Sequence, residues 1–125
     1  MTSNIATVLA ALIGAGVVFM GTSFFWAPQG AAGFGIPDTP TGDRTFHAWL
    51  AVKGVRDIAS GILILIVLIG GTPHLLGWVM LAASAIPVGD ASIVLRSKGP
   101  KAVAYGVHGA TAVVMLAIGA LLLIA

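Results

Sequence analysis

The stretch "KGVRDIASGILILIVLI", residues 53–69, decides the fold because it joins a group of charges to an unbroken apolar run. Lys53, Arg56 and Asp57 lie close together, and every residue from Ile62 to Ile69 is aliphatic. A charge at the centre of a membrane helix costs about 2.5–3.5 kcal/mol on insertion scales, so such residues face a protein interior or water. The stretch therefore predicts a membrane helix whose charged end contributes to the interior of a bundle.

The composition of the whole chain agrees with a membrane protein. Of its 125 residues 58% are hydrophobic and 8% are charged, and the mean hydropathy is +1.08. A soluble domain has about 45–50% apolar and about 25% charged residues. Cysteine is absent, which excludes thiol nucleophiles, disulfides, iron–sulfur clusters and cysteine-based zinc sites. The net charge of +2 fits orientation in a membrane and does not indicate nucleic-acid binding.

Four stretches of the chain are long enough to cross a bilayer, whose core of about 30 Å needs roughly 20 apolar residues in a helix. They are residues 4–26, 46–70, 73–96 and 101–125. The first has no basic residue before it, and its apolar run exceeds the about 7–15 residues of a secretory signal, so we expect a retained span. We predict an all-α fold, an integral membrane four-helix bundle formed by residues 1–125 as one domain.

The basic residues predict the orientation of this bundle. They all fall at one end, as Arg44, Lys53, Arg56, Arg96, Lys98 and Lys101. The positive-inside rule then places this end in the cytoplasm and both termini outside the cell membrane. The first connection, residues 27–45, is rich in glycine and proline, and its Phe34 and Ile36 are expected to fold back over the mouth of the bundle.

Polar residues from three spans are predicted to meet at one level in the cytoplasmic half. Successive spans alternate in direction, so Asp90 of the third span and His108 of the fourth reach the depth of the charges in the second. Positions 53, 56 and 57 are related by i, i+3 and i+4, which favours one shared helix face. Two cations and two carboxylates then give 2 − 2 = 0 formal charges, as a low-dielectric site tolerates.

Each candidate residue has a proposed role and a structural alternative. The candidate catalytic residues are Asp57, Asp90 and His108. The candidate ligand-binding residues are Lys53, Arg56, Tyr105 and Trp26. The alternatives are a structural ion network, a satisfied buried histidine, a packing role for the tyrosine and an interfacial anchor for the tryptophan. A metal site built from the two aspartates and the histidine is disfavoured because two nearby cations would repel a divalent ion, and no cofactor is expected.

Proline and glycine positions predict how the spans pack. Pro87 removes a helical hydrogen-bond donor, so we expect a kink in the third span. Gly89 is expected to let another backbone approach Asp90. Gly14 and Gly21, a heptad apart in the first span, predict a tight contact with another helix.

Four segments carry a resemblance to a known family. They are "FGIP" at 34–37, "KGVRDIASGI" at 53–62, "IPVGDASIV" at 86–94 and "HGATAVVML" at 108–116. In their order and placement the chain resembles small four-span membrane proteins grouped as a domain of unknown function, distantly similar to DoxX-like membrane proteins. The resemblance implies a four-span fold and a polar site at the residues named above, and it implies no particular reaction.

The residues favour one function and leave two others open. A histidine that titrates near neutrality beside carboxylates and cations favours acid/base conversion of a small lipophilic molecule, as in an isomerase or cyclase. The same residues would also serve a small ion or metabolite transporter or channel, although the outer half of the spans is almost purely apolar. The third possibility is a non-catalytic membrane subunit. The expected partners are membrane lipid, a lipophilic ligand and a second copy of the chain in a two-fold dimer.

Overall fold

The computed structural model describes residues 1–125 and contains helices and no strand, which confirms the all-α prediction. The α-helices are α1 (Thr2–Trp26), α2 (Arg44–Gly70), α3 (Pro73–Ala83), α4 (Ala85–Arg96), α5 (Lys101–Val103) and α6 (Ala110–Ile124). A 3₁₀ segment, Pro28–Phe34, lies in the first connection, and a π-helical segment, Ala104–Gly109, joins α5 to α6. Because α2 begins at Arg44, the first connection comprises residues 27–43.

Three helical stretches are long and apolar enough to cross a membrane: Thr2–Trp26, Pro73–Arg96 and Lys101–Ile124. Helix α2 has 27 residues, which is sufficient length, but Lys53, Arg56 and Asp57 interrupt its apolar sequence. The chain is therefore a membrane-type helical bundle in which one of the four predicted spans, α2, has charged residues within the helix and not only at its ends.

Glycine pairs bring α1 and α2 into close antiparallel contact. A Cβ placed on Gly54 would lie 2.7 Å from the carbonyl oxygen of Gly21, and a Cβ on Gly61 would lie 2.6 Å from that of Gly14. The two pairs repeat after seven residues on each helix, so the same face of each helix meets the other twice. The predicted contact at Gly14 and Gly21 is present, and its partner is α2.

A second close pair, α3 with α6, completes the bundle. A Cβ on Gly77 would lie 3.1 Å from the carbonyl oxygen of Gly119, and the reverse distance is 3.0 Å. The apolar core fills the end of the bundle that holds the chain termini. Its buried members are Ala6, Ala10, Ile64, Leu76, Met80, Met115, Ile118 and Leu122.

The third span is interrupted one turn before its proline. Helix α3 ends at Ala83, and Ser84 separates it from α4, with the Ser84 hydroxyl donating to the carbonyl of Leu81 at 2.6 Å. Pro87 has no N–H to offer the carbonyl of Ala83, so one backbone hydrogen bond of the third span is missing where α3 meets α4. Gly89 was expected to let the backbone of another helix approach, but a Cβ placed on Gly89 would have no atom within 4 Å. That prediction is wrong because Gly89 faces away from the other helices.

The first connection covers one end of the bundle, as its Phe34 and Ile36 led us to expect. Ala31 and Gly35 are buried within it. Gly35 has a φ of 111°, and a Cβ there would lie 3.0 Å from the side chains of Val94 and Val103. Glycine is therefore required by both conformation and space at the point where the connection rests on α4 and α5.

Candidate ligand-binding site

Lys53 is the centre of the polar end of the bundle. Its Nζ donates to Oδ2 of Asp57 at 2.7 Å, one helical turn further along α2. The same ammonium lies 4.9 Å from the ring centroid of Phe24 on α1 and 5.3 Å from that of Phe34 in the first connection. A cation within about 6 Å of an aromatic face is attracted by the ring quadrupole. Lys53 thus ties α1, α2 and the first connection together.

A cavity of about 180 Å³ opens beside this ammonium, under the first connection. Its walls come from α1, from the first connection and from the first three turns of α2. The lining residues are Phe24, Ala31, Phe34, Ile36, Pro37, Asp38, Thr39, Pro40, Phe46, Leu50 and Lys53. The lining is mostly apolar, and Lys53 is its only basic side chain. Such a space accepts an apolar group and offers one strong hydrogen-bond donor at its wall.

Asp90 of α4 lies within electrostatic range of Lys53, Asp57 and His108. It is half-buried, and its carboxylate accepts no hydrogen bond from the chain. The structure therefore gathers four of the predicted polar residues, from three different spans, at one end of the bundle. Within the Lys53–Asp57 ion pair, Asp57 is the more buried member, with 15% of its side chain exposed against 35% for Lys53.

His108 is buried and holds the first connection in place. Its Nε2 lies 2.8 Å from the backbone carbonyl oxygen of Phe34, 74 positions earlier in the chain, and therefore donates to it. The two rings are stacked at a tilt, with centroids 4.3 Å apart. The π-helical segment carries His108, and such one-turn widenings of a helix occur frequently at functional sites. His108 does not line the cavity, because Phe34 stands between them.

Arg56 does not join this group, contrary to the prediction. Its side chain is exposed, it forms no ion pair, and its closest hydrogen bond is a 3.5 Å contact from Nη1 to the carbonyl of Val52. At about 100° of rotation per residue, Lys53 lies about 60° from the centre of the buried face of α2, whereas Arg56 lies about 120° from it. Arg56 does follow Lys53 at the i, i+3 spacing, but the rotation from Lys53 to Arg56 is away from the buried face, so the Arg56 side chain lies outside the bundle.

Tyr105 and Trp26 also lie outside the cavity. Tyr105 is 61% exposed. Within the π-helical segment His108 faces the interior of the bundle, whereas Tyr105 faces outward. Trp26 is 63% exposed at the end of α1 and makes an edge contact with Phe19, with ring centroids 6.0 Å apart. The structure gives neither residue a place in the ligand-binding group, and both positions suit aromatic anchors at a membrane surface.

Sequence reasoning missed the apolar walls of the cavity. Phe46, Leu50 and Lys53 follow one another at i, i+4 and i+7 on α2, a spacing that places them on one helix face. This signal was present in the sequence. Phe24 stands three residues after Gly21, where the glycine contact brings α1 against α2. No group of three or more histidine or acidic side chains is arranged to hold a metal ion.

A bundle of membrane-length helices with polar residues and a mostly apolar cavity at one end defines a small polytopic membrane protein. The chain belongs to the family described as a domain of unknown function, DUF4267, which it matches over residues 14–122. The match includes Lys53, Asp57, Asp90 and His108, and it confirms the resemblance to a family of that kind. No curated protein and no solved structure matches the chain. The distant likeness to DoxX-like proteins stays a prediction.

Proposed function

We propose that this chain binds a small lipophilic carbonyl compound in the cavity under the first connection and converts it by proton transfer. The observation that carries the proposal is the single ammonium, Lys53, at the wall of an otherwise mostly apolar cavity. An engineered protein cavity of about 150 Å³ binds benzene, so a space of about 180 Å³ accepts a single ring or a branched chain of similar size.

The environment of Lys53 favours a carbonyl oxygen as the polar end of the ligand. An ammonium has three N–H donors. One is taken by Asp57, and the structure gives the ammonium no other hydrogen-bond acceptor, only two aromatic rings within 5.3 Å that attract its charge. A neutral carbonyl uses a remaining donor and leaves the Lys53–Asp57 pair intact, whereas a cationic ligand is repelled.

The neighbouring carboxylates supply a base for the proposed conversion. Neither Asp57 nor Asp90 lines the cavity, but Asp57 is bonded to Lys53 at its wall and Asp90 lies within electrostatic range of the same ammonium. In our proposal one of these carboxylates removes a proton from the carbon next to the carbonyl, and the ammonium of Lys53 stabilises the negative charge that develops on the oxygen. In a ligand that carries a carbon–carbon double bond next to that carbon, return of the proton to the far carbon of the conjugated enolate gives an isomer, with no other reactant consumed. His108 contributes by holding Phe34 over the cavity, since its Nε2 is engaged with the Phe34 carbonyl.

Thermal stability in detergent, measured with three compounds of similar size, tests the binding. Cyclohexanone should raise the unfolding temperature more than methylcyclohexane, and cyclohexylamine should raise it least, because at equal concentration the ligand that binds the folded state most tightly stabilises it most. Lys53→Met should remove the preference for cyclohexanone. Arg56→Met, three residues away on the exposed face, is the matched control and should keep it. Equal shifts with all three compounds would rule out this site.

Proton exchange tests the chemistry separately from the binding. In deuterium oxide the protein should accelerate the loss of the α-protons of cyclohexanone, observed by proton NMR. Asp57→Asn should slow that exchange while the stabilisation by cyclohexanone remains. Binding without accelerated exchange would leave a binding protein and remove the proposed isomerase.

The same proposal includes the setting in which the protein works. We place it in the cell membrane with its basic end in the cytoplasm and both termini outside, supported by the six basic residues at that end. A homodimer is part of the proposal because four short spans enclose little volume and glycines that face open space, such as Gly16 and Gly106, let a second helix approach closely. Labelling of single cysteines added at either end in intact cells tests the orientation, and crosslinking in native membranes tests the dimer.

A further inference from the structure

We propose that Arg56 and Trp49 form a binding site for the phosphate group of an anionic phospholipid on the outer face of α2. This site is separate from the cavity and does not depend on the proposed function. Arg56 is exposed and has no carboxylate partner, and Trp49 is 70% exposed seven residues earlier on the same helix face.

The depth of Arg56 requires a partner for its charge. If the last 20 residues of α2 cross a core of about 30 Å, that core begins near Ala51, and Arg56 lies about 8 Å inside it. Long basic side chains at this depth extend towards the interface. The contact of Nη1 with the carbonyl of Val52 shows that the guanidinium points back along α2, towards the end that carries the first connection.

Trp49 marks the level that the guanidinium approaches. It lies just outside the same 20 residues, where tryptophan commonly anchors a helix in the headgroup region. A guanidinium offers paired N–H donors that match the oxygens of a phosphate. The indole N–H adds one donor on the same face. An anionic lipid satisfies both groups while its acyl chains cover the apolar surface below.

The charges of the chain favour lipid over a second copy as the partner of Arg56. The chain has four carboxylates. Asp57 is paired with Lys53, and Oδ2 of Asp43 accepts the backbone N–H of Phe46 at 2.7 Å. Asp90 faces the polar group inside the bundle. The exposed carboxylates that could still pair with Arg56 of another copy are Asp38 and Asp43, and both lie in the first connection, before α2 begins.

Fluorescence quenching by brominated lipids tests the site. Trp26→Phe and Trp78→Phe leave Trp49 as the only tryptophan, and both replaced side chains lie on the surface. In phosphatidylcholine vesicles with a minor fraction of phosphatidylglycerol, we expect the anionic lipid beside Trp49 to be enriched about fivefold over its bulk fraction. Bromination of the phosphatidylglycerol should therefore quench Trp49 more than its share of the lipid predicts.

Two variants separate a local site from general surface charge. Arg56→Gln should abolish the enrichment, while Lys101→Gln, an exposed basic residue at the same end, should leave it unchanged. The proposal is overturned if both lipids quench in proportion to their amounts, or if Arg56→Gln has no effect. It is also overturned if Trp49 is shielded from both lipids and Val52→Cys, the only cysteine in that variant, forms a disulfide-linked dimer.

Discussion

Replacing Gly21 by alanine should destabilise the protein, whereas the same change at Gly16, on the same helix, should not. A Cβ on Gly21 would lie 2.7 Å from the carbonyl oxygen of Gly54, 2.8 Å from Cγ1 of Ile58 and 2.9 Å from its backbone nitrogen. Ordinary van der Waals contact begins at 3.4 Å, so relief of the closest contact needs 3.4 − 2.7 = 0.7 Å. Two of the three atoms belong to the backbone of α2, so the whole helix must move.

The magnitude follows from two opposing terms. Overpacking a well-fitted contact costs about 1–3 kcal/mol, and the upper end applies here because backbone atoms cannot rotate away. Alanine recovers about 0.5–1 kcal/mol over glycine within a helix. The net expectation for Gly21→Ala is a loss of about 2 kcal/mol. For Gly16→Ala only the gain remains, because a Cβ there meets nothing within 4 Å.

Equilibrium unfolding by SDS in mixed micelles measures both variants. Gly21→Ala should also weaken the stabilisation by cyclohexanone, since moving α1 by about 0.7 Å carries Phe24 away from Lys53. If Gly21→Ala proved as stable as Gly16→Ala, α1 and α2 would not be packed through these glycines. The cavity wall built on that contact would then be wrong as well.

Three further substitutions test the polar end of the bundle. His108→Phe keeps a ring against Phe34 but removes the hydrogen bond to the Phe34 carbonyl, so it should lower the free energy of unfolding by about 1–2 kcal/mol. It should also speed amide hydrogen exchange in residues 28–43, and unchanged exchange would mean that His108 does not hold the first connection in place. Asp57→Asn leaves the cation of Lys53 without its carboxylate and should make cyclohexanecarboxylate stabilise the variant more than the wild type in a melting assay; weaker stabilisation would contradict the pairing. Gly35→Ala places a Cβ on a residue whose backbone φ is 111°, a conformation that favours glycine, and should therefore lower the melting temperature. An unchanged melting temperature would mean that the first connection does not rest on α4 and α5.

The helix boundaries were predictable because the chain marks them with local signals. The predicted spans end or begin at Trp26, Gly70, Pro73, Arg96 and Lys101, as the helices do. Glycine and proline in the short connections, and the change from apolar to basic sequence, fix these ends without reference to the rest of the fold. The gathering of polar residues at one end followed from the alternating direction of the spans, which requires only their lengths.

The details of the site depend on contacts that local sequence does not encode. The i, i+3 spacing placed Arg56 beside Lys53, but only the position of the α1 contact, at Gly54 and Gly61, shows which side of α2 is buried. The bond from His108 to Phe34 joins residues 74 positions apart, across a connection with no periodic pattern. A cavity formed mainly by that connection was therefore beyond helix-based reasoning.

The two ends of the bundle have different packing, and this difference bears on transport. The end with the termini is filled by buried side chains such as Met80 and Ile118, and α3 meets α6 there through Gly77 and Gly119. In lipid, helices associate through packing, because the hydrocarbon removes most of the hydrophobic driving force. Opening this end would separate the glycine contact between α3 and α6 and leave voids in its place. The cavity lies at the other end, beside Lys53, which supports our proposal of a site that receives and releases its ligand on one side over a path across the membrane.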